Sequence, residues 1–419
     1  MLQSFKTAFK VSELRTKLLY TLGMLFIFRL GAHIPVPGVN PERFADLVNS
    51  GVIFGFFDII SGGALRNFSV FAMGIMPYIN ASIILNLLTV VIPHLDKLKK
   101  EGEEGRKKIS QYTRYLTVVL AFIQGIGMVV GVGGSLQHPS AVTYAITALT
   151  ITAGTTFLMW MGEQITERGI GNGISLLIFA GIVSRVPQGA ARLGEYLNAG
   201  TITVFSLILL AVIAALVVAA VVAVQEGQRR IPVRYAKRVV GRRVYGGQTT
   251  HLPLKVNQAG VMPIIFASSL LMFPETIIKM FQGSAVANFY GTYLGWGTAA
   301  HTMLFALLVI GFTYFYTAVV MNPADVADNI KKYGGFIPGL RPGRPTAEYI
   351  SRIMSRVTLS GAIFLALIAV LPNFVLLATK IPNIYFGGTS LLIVVGVALD
   401  TMKQIESHLL MRSYQGFIR

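Results

Sequence analysis

The sequence predicts an all-α polytopic membrane protein with about ten transmembrane helices. Three observations carry that expectation. Of 419 residues, 53% are hydrophobic and only 13% charged, against roughly 25% charged in soluble domains. Apolar windows recur along the whole chain, and a helical span takes about 20 such residues. The basic residues behind the net charge of +18 collect in alternate connections, the signature of loops held on one side of a bilayer.

The windows fall near 18–37, 71–93, 113–133, 142–162, 171–187, 203–225, 259–279, 301–321, 354–378 and 385–408. All are expected to be helices, because a helix satisfies its own backbone groups in lipid. Residues 1–17, MLQSFKTAFKVSELRTK, are polar and amphipathic. They read as a helix lying on the membrane surface, with no small-residue cleavage site after them.

Orientation follows from the connections. Lys6, Lys10, Arg15 and Lys17 precede the first window, and Lys97, Lys99, Lys100, Arg106, Lys107 and Lys108 follow the second. Arg229, Arg230, Arg234, Lys237, Arg238, Arg242 and Arg243 follow the sixth; Lys331, Lys332, Arg341 and Arg344 follow the eighth. GVGGSLQHPSA, after the third window, has no Lys or Arg. Both termini are therefore expected in the cytoplasm, with a tail at 409–419.

Ten spans divide into halves of five, 18–187 and 203–408, joined by an external hinge loop at 188–202. An odd number per half inverts the second half relative to the first. SGGAL and FGGTS offer a weak internal echo.

One stretch fits neither span nor loop. Residues 57–82, FDIISGGALRNFSVFAMGIMPYINAS, are apolar, yet Gly62, Gly63, Arg66, Asn67 and Pro77 interrupt them. Elsewhere, isoleucines stand four apart in GIMPYI (Ile75, Ile79) and in GNGISLLIF (Ile174, Ile178). Each pair lies on one helix face. Stacked isoleucines can line a constriction that resists wetting, or they can simply face lipid or another helix.

Absences narrow the function. Glu163, Glu167, Glu226, Glu275, Asp325 and Asp400 lie near window ends or in loops, as do all six histidines. A coupled transporter usually keeps such groups at mid-membrane. HExxH, GxxxxGK[ST] and intramembrane Ser/His pairings do not occur, and the chain has no cysteine. A passive path is favoured over a coupled small-solute secondary transporter or a membrane enzyme. No cofactor or metal site is expected, and any driving energy would come from a partner. GEQITERGIGNGIS, residues 162–175, reads as a tight cytoplasmic turn rather than a phosphate loop. The basic loops at about 226–258 and 322–353 exceed what orientation requires. The first alternates basic and apolar residues around a glycine, which suggests a projecting hairpin. Such clusters suit RNA phosphates or acidic proteins.

SGGAL, GIMPYINASII, EGEEGRKKISQYTRY, LMWMGEQITERGIGNGIS, YAKRVVGRRVYGGQTTHLPLKVNQAGVMPIIFASS, FYTAVVMNPADVADNIKKYGGFIPGLRPGRPT and YFGGTSLLIVV run in order along the chain. These strings resemble the bacterial SecY family, the channel-forming subunits of the Sec protein translocase. The resemblance implies a clamshell of two inverted halves around an hourglass pore in the plasma membrane. Unfolded secretory chains would cross it, and transmembrane segments would leave sideways between spans two and three on one half and seven and eight on the other. It maps a pore ring onto Ile75, Ile79, Ile174, Ile178, Ile265 and Ile393. It maps a plug onto Phe57, Asp58, Ile59, Ile60, Ser61, Gly62, Gly63, Ala64, Leu65, Arg66 and Asn67. The lateral gate's polar cluster maps onto Asn80, Gln124 and Phe273, the last of which is not polar. Docking falls to Arg234, Lys237, Arg238, Arg242, Arg243, Arg341 and Arg344. The implied partners are SecE, SecG, the motor ATPase SecA, the ribosome, signal peptides with their unfolded preproteins, and the lipid bilayer.

Overall fold

The structure, a computed structural model, describes residues 9–39, 58, 61–131, 140–235, 238–240, 243–245, 249–278, 285–295, 298–379 and 388–416. Ten helices overlap the ten windows: α1 (Ser12–Gly31), α2 (Met76–Val91), α3 (Glu103–Gly131), α4 (Ala141–Arg168), α5 (Gly173–Asn198), α6 (Val204–Glu226), α7 (Met262–Ile278), α8 (Ala299–Val320), α9 (Arg344–Thr379) and α10 (Gly388–Gly416). Six of them, α3, α4, α5, α6, α8 and α9, are long and apolar enough to cross a bilayer unaided. A seventh arises if α2 is counted with the short helix Pro93–Lys100 beyond it, although the two are bent by 100°. The bend has a local cause: Ile92 is extended, as a residue before proline prefers, and Pro93 starts a new helix.

Several helices outrun their windows because good helix formers continue them. α1 begins at Ser12, so residues 12–17 belong to the first spanning helix. α3 starts at Glu103, and α9 starts at Arg344, inside the second basic loop. α5 runs through Asn198 despite Pro187, so most of the expected hinge loop is helical. α10 runs to Gly416, into the expected tail. Two further short helices, Ala285–Tyr293 and Pro323–Lys332, sit in connections. Caps set several starts: the side chains of Asn172, Thr203 and Thr298 accept the amides of Ser175, Ser206 and His301, each bond satisfying an otherwise orphaned donor.

The halves repeat their packing. In the first, α2 packs on α3, α3 on α4 and α4 on α5, while α1 lies on α4 and α5. Adding five to each number reproduces the second half: α7 on α8, α8 on α9, α9 on α10, with α6 on α9 and α10. The halves meet along two seams, α2 and α3 against α7, and α5 against α10. α6 buries little beyond Val217, Val221 and Gln225. A helix that apolar leaves most of its surface for lipid or another membrane partner.

β1 (Gln228–Tyr235) pairs antiparallel with β4 (Thr249–Lys255), and β2 (Arg238–Val240) with β3 (Arg243–Tyr245). This is the projecting hairpin expected from the alternating pattern. β5 (Gly335–Phe336) adds to the other edge of β1, pairing Arg234 with Phe336 and Tyr235 with Gly335. The two basic loops are thereby joined in one sheet, ordered β4-β1-β5.

Candidate functional site: a central constriction and its stopper

The structure gathers the expected isoleucines. Ile75, Ile79, Ile178, Ile265 and Ile393 are all buried in the main hydrophobic core, and Ile174 packs against it. They come from the start of α2, from α5, from α7 and from α10, so both halves contribute. Ile75 caps α2 rather than lying within it, and its carbonyl accepts the Ile79 amide at 3.1 Å, keeping the two one turn apart. Pro77 falls in the first turn of α2, where a missing N–H costs nothing. Among these side chains there is no group that water could hydrate.

Against this core sits the segment that suits neither lipid nor solvent. Phe57, Ile59 and Ile60 lie outside the described residues. Asp58, which is helical, and Ser61–Asn67 are described, and the latter form a chain of turns. The Gly63 amide reaches the Asp58 carbonyl at 2.8 Å, and Phe68 the Leu65 carbonyl at 2.8 Å. Ser61, Ala64 and Leu65 are buried, Arg66 and Asn67 half-buried. The glycine pair has a steric reason. Gly62 and Gly63 have φ of +68° and +93°, a region that costs other residues roughly 1 kcal/mol or more. A Cβ on Gly62 would meet the Gly181 backbone of α5 at 2.9 Å, and one on Gly63 would meet the Arg185 guanidinium at 2.9 Å.

Polar groups fasten the segment. Arg29 of α1 donates to the Gly62 carbonyl at 2.5 Å and to Ser184 Oγ at 3.0 Å. Arg185 of α5 donates through Nη2 to the Asp58 carboxylate, and through Nη1 to Gln188. The other Asp58 oxygen accepts the Arg66 amide at 2.8 Å. Burial pushes the Asp58 carboxyl above its ordinary range; the Arg185 guanidinium and the Arg66 amide pull it part of the way back. Sequence reading missed Arg29 and Arg185. The available signal was a charge inside an apolar stretch, which demands a partner.

At the seam between halves, the expected polar cluster is not joined. Gln124 is buried in α3 and Asn80 half-buried in α2, but among the described residues no hydrogen bond links them. Only the backbone of Phe273 is described. The polar contact across the seam is instead Ser269 Oγ of α7 to Met76 Sδ of α2, at 3.6 Å, a weak bond.

The glycine-rich turn between α4 and α5 is a clamp. Its amides at Ile170, Gly171, Gly173 and Ser175 go to Thr21 of α1, Gln404 of α10, Thr166 and Asn172. No donor in that set is left for a phosphate, so the turn reading holds. Beside it a cavity of about 450 Å³ is lined by Asn172, Ser175, Gln225, Asn257, Asp400 and Gln404 among others.

On the sheet, Ile231 and Val233 point inward onto a small core with Leu254, Ile330, Ile337 and Ile350. The alternate residues, Arg230 and Arg234, face solvent, as the two-residue period of a strand requires. Arg341 and Arg344 are exposed, Arg344 beside Glu348 at 3.0 Å. Such surface pairs contribute little. Lys237 and Arg242 lie outside the described residues, and of Arg238 and Arg243 only the backbone is described. Among the described residues no group of three or more His, Asp or Glu could hold a metal ion.

Two helical halves of repeated packing that share one apolar core, with a buried chain of turns folded against it, fit the class of a multi-pass membrane channel. The chain belongs to the SecY family, whose profile matches residues 69–402. It is 49% identical to the protein translocase subunit SecY of Halalkalibacterium halodurans, over all of both chains. A solved SecY, whose plug domain is described as stabilising the closed state and maintaining a membrane seal, has a similar fold. That likeness has a TM-score of 0.65 at 19% identity, covering 94% of this chain and 92% of the other. So does Sec61 from the canine ribosome-channel complex of the endoplasmic reticulum, at TM-score 0.61 and 18% identity, again covering 94% and 92%.

Proposed function

We infer that this chain forms a passive protein-conducting channel, through which unfolded secretory polypeptides cross the bacterial plasma membrane. The observation that carries the reading is the buried apolar core to which both halves contribute isoleucine, read as a shut constriction. Such a ring excludes hydrated ions while it is shut and can part around an extended chain. Residues 57–67 act as the plug and Ile75, Ile79, Ile174, Ile178, Ile265 and Ile393 as the ring. Spans leave sideways between α2 and α3 on one half and α7 and α8 on the other, with Asn80, Gln124 and Phe273 at the gate. The weak Ser269–Met76 contact and the van der Waals packing around it suit a seam that must open.

The chain itself performs no covalent chemistry in this reading, and a bound motor or the ribosome supplies the energy. Both termini face the cytoplasm, as does the β1–β5 sheet. Its exposed Arg234, with Arg341 and Arg344 beyond β5, docks SecA or the ribosome, together with Lys237, Arg238, Arg242 and Arg243, which fall between β1 and β4 in sequence. α6, apolar and mostly uncovered, leaves room for small membrane subunits of the SecE and SecG kind.

Reconstitution tests this directly. Vesicles containing the chain, its small subunits and a SecA motor should import an unfolded preprotein in an ATP-dependent manner. Import that proceeds equally in vesicles lacking the chain, or flux of a small solute coupled to an ion gradient, would overturn the reading.

A further inference from the structure

The stopper is held by charges as well as by shape. Asp58 stands among four guanidinium groups. Arg185 bonds it directly, Arg66 lies on the stopper itself, and Arg192 of α5 acts on both members of the pair. Arg29 of α1 acts on Arg185 and holds the Gly62 carbonyl. Two of these contacts therefore run from the stopper to two different helices of the wall, four residues apart along the stopper. The Asp58 and Arg185 side chains are only 10% and 11% exposed. Burying a charge is costly unless it is paired, and removing one member of a buried pair is far worse than removing both.

We propose that Asp58 and Arg185 form a latch that fixes the seated position of the stopper, with the Arg29–Gly62 contact as its second point. The proposal rests on the plug reading above and deepens it by naming what holds the closed state. Shape alone would let an apolar segment slide within an apolar funnel. A single carboxylate paired with a single guanidinium allows one register. The latch is also built to release. Arg185 Nε is buried without a partner, and water entering with a polypeptide would hydrate both ions at once. Releasing the stopper would then leave Arg29, Arg185 and Arg192 as positive charge on the wall, ready to draw Asp58 back when the channel empties.

The test is ion leak through the full chain in planar bilayers. Arg185→Asp places like charges together, and Asp58→Arg does the same with the opposite sign. Each should raise the resting leak at least about tenfold. The double variant Asp58→Arg/Arg185→Asp restores the pair and should return the leak to within about threefold of the parent. Arg185→Lys, which keeps the charge, should leak least of the single variants. A double variant as leaky as the singles would overturn the latch, as would a leak that rises only in proportion to lost thermal stability in detergent. Deleting residues 57–67 separates the two readings. If the deletion leaks and the charge reversals do not, the latch is wrong and the plug stands. If the deletion does not leak, the plug reading fails and the latch fails with it.

Discussion

The connection between α1 and α2 and the connection between α6 and α7 occupy the same place in the two repeats, yet they behave oppositely. Inversion puts them on opposite faces of the membrane. The described residues of the first fold back into the molecule as turns, with Ser61, Ala64 and Leu65 buried and the Asp58 carboxylate paired in the interior. The second projects as a two-stranded hairpin with arginines on its open face. The first depends on glycines at positive φ that let backbone touch backbone. The second depends on strand alternation and on a third strand borrowed from the next loop. An inverted repeat thus gives a pseudo-symmetric bundle of helices two asymmetric attachments, one folded inward and one a basic sheet; the proposed function has the first close the path and the second meet whatever pushes substrate through it.

The largest test of that division exchanges the phenotypes. Removing residues 57–67 should turn a nearly silent channel into one that conducts ions continuously in planar bilayers, while motor-driven import in vesicles persists. Arg341→Glu, on the opposite face, should do the reverse. The bilayer stays sealed and span insertion continues, but motor-driven import is lost because the reversed charge repels an acidic docking surface. A leaky Arg341→Glu, or a deletion variant that is sealed but inactive, would show that the two connections are not separable.

Much of this was legible in the sequence, and the reasons differ by region. The ten helices follow from hydropathy, because a bilayer imposes length and apolarity on every span. The hairpin follows from alternation in QRRIPVRY. The isoleucines Ile75, Ile79, Ile174 and Ile178 are visible as pairs, but their convergence with Ile265 and Ile393 is a property of tertiary packing and came only with the family resemblance. The turns over 61–67 were not legible, since their glycines serve close approach to Gly181 and Arg185 at positive φ, a tertiary contact. Arg29, inside its window, was a signal left unread, whereas Arg185 was passed over because it stands near the end of an apolar window, where a long side chain can usually reach water. Their partners lie 33 and 127 residues away in sequence, beyond any local pattern.

A smaller effect probes the glycine pair. Gly62→Ala adds one methyl against the Gly181 backbone and forces a side chain into positive φ. The combined penalty is about 1–3 kcal/mol, all of it on the seated state. The resting leak should therefore rise roughly five- to hundredfold, while Gly339→Ala in the second basic loop, also at positive φ but in open space, should leave the leak unchanged. Equal leaks from the two substitutions would remove the argument that Gly62 is shaped by its contact.

The smallest expected effect is on pH, and its sign discriminates. Burial raises the carboxyl of seated Asp58, with Arg185 and the Arg66 amide opposing, whereas a released stopper returns it to water and to an ordinary value of about 3.9. The seated state therefore binds the proton more readily, and acid favours it. That contribution is complete below the released-state value and is lost as pH rises through the seated one. The charged side chains that act on the pair, Arg29, Arg66, Arg185 and Arg192, are all guanidinium groups. Lowering the pH on the stopper's side should reduce the residual leak. Asp58→Asn should not reproduce the acidified channel but raise the leak, because its one amide oxygen can replace only one of the two carboxylate oxygens that accept from Arg185 and from the Arg66 amide, and its NH2 group then faces a donor. A leak that grows on acidification would mean that the ionised pair stabilises seating more than its burial opposes it. The closed state would then be held mainly by charge, and the register argument for a releasable latch would have to give way to a stronger, pH-gated one.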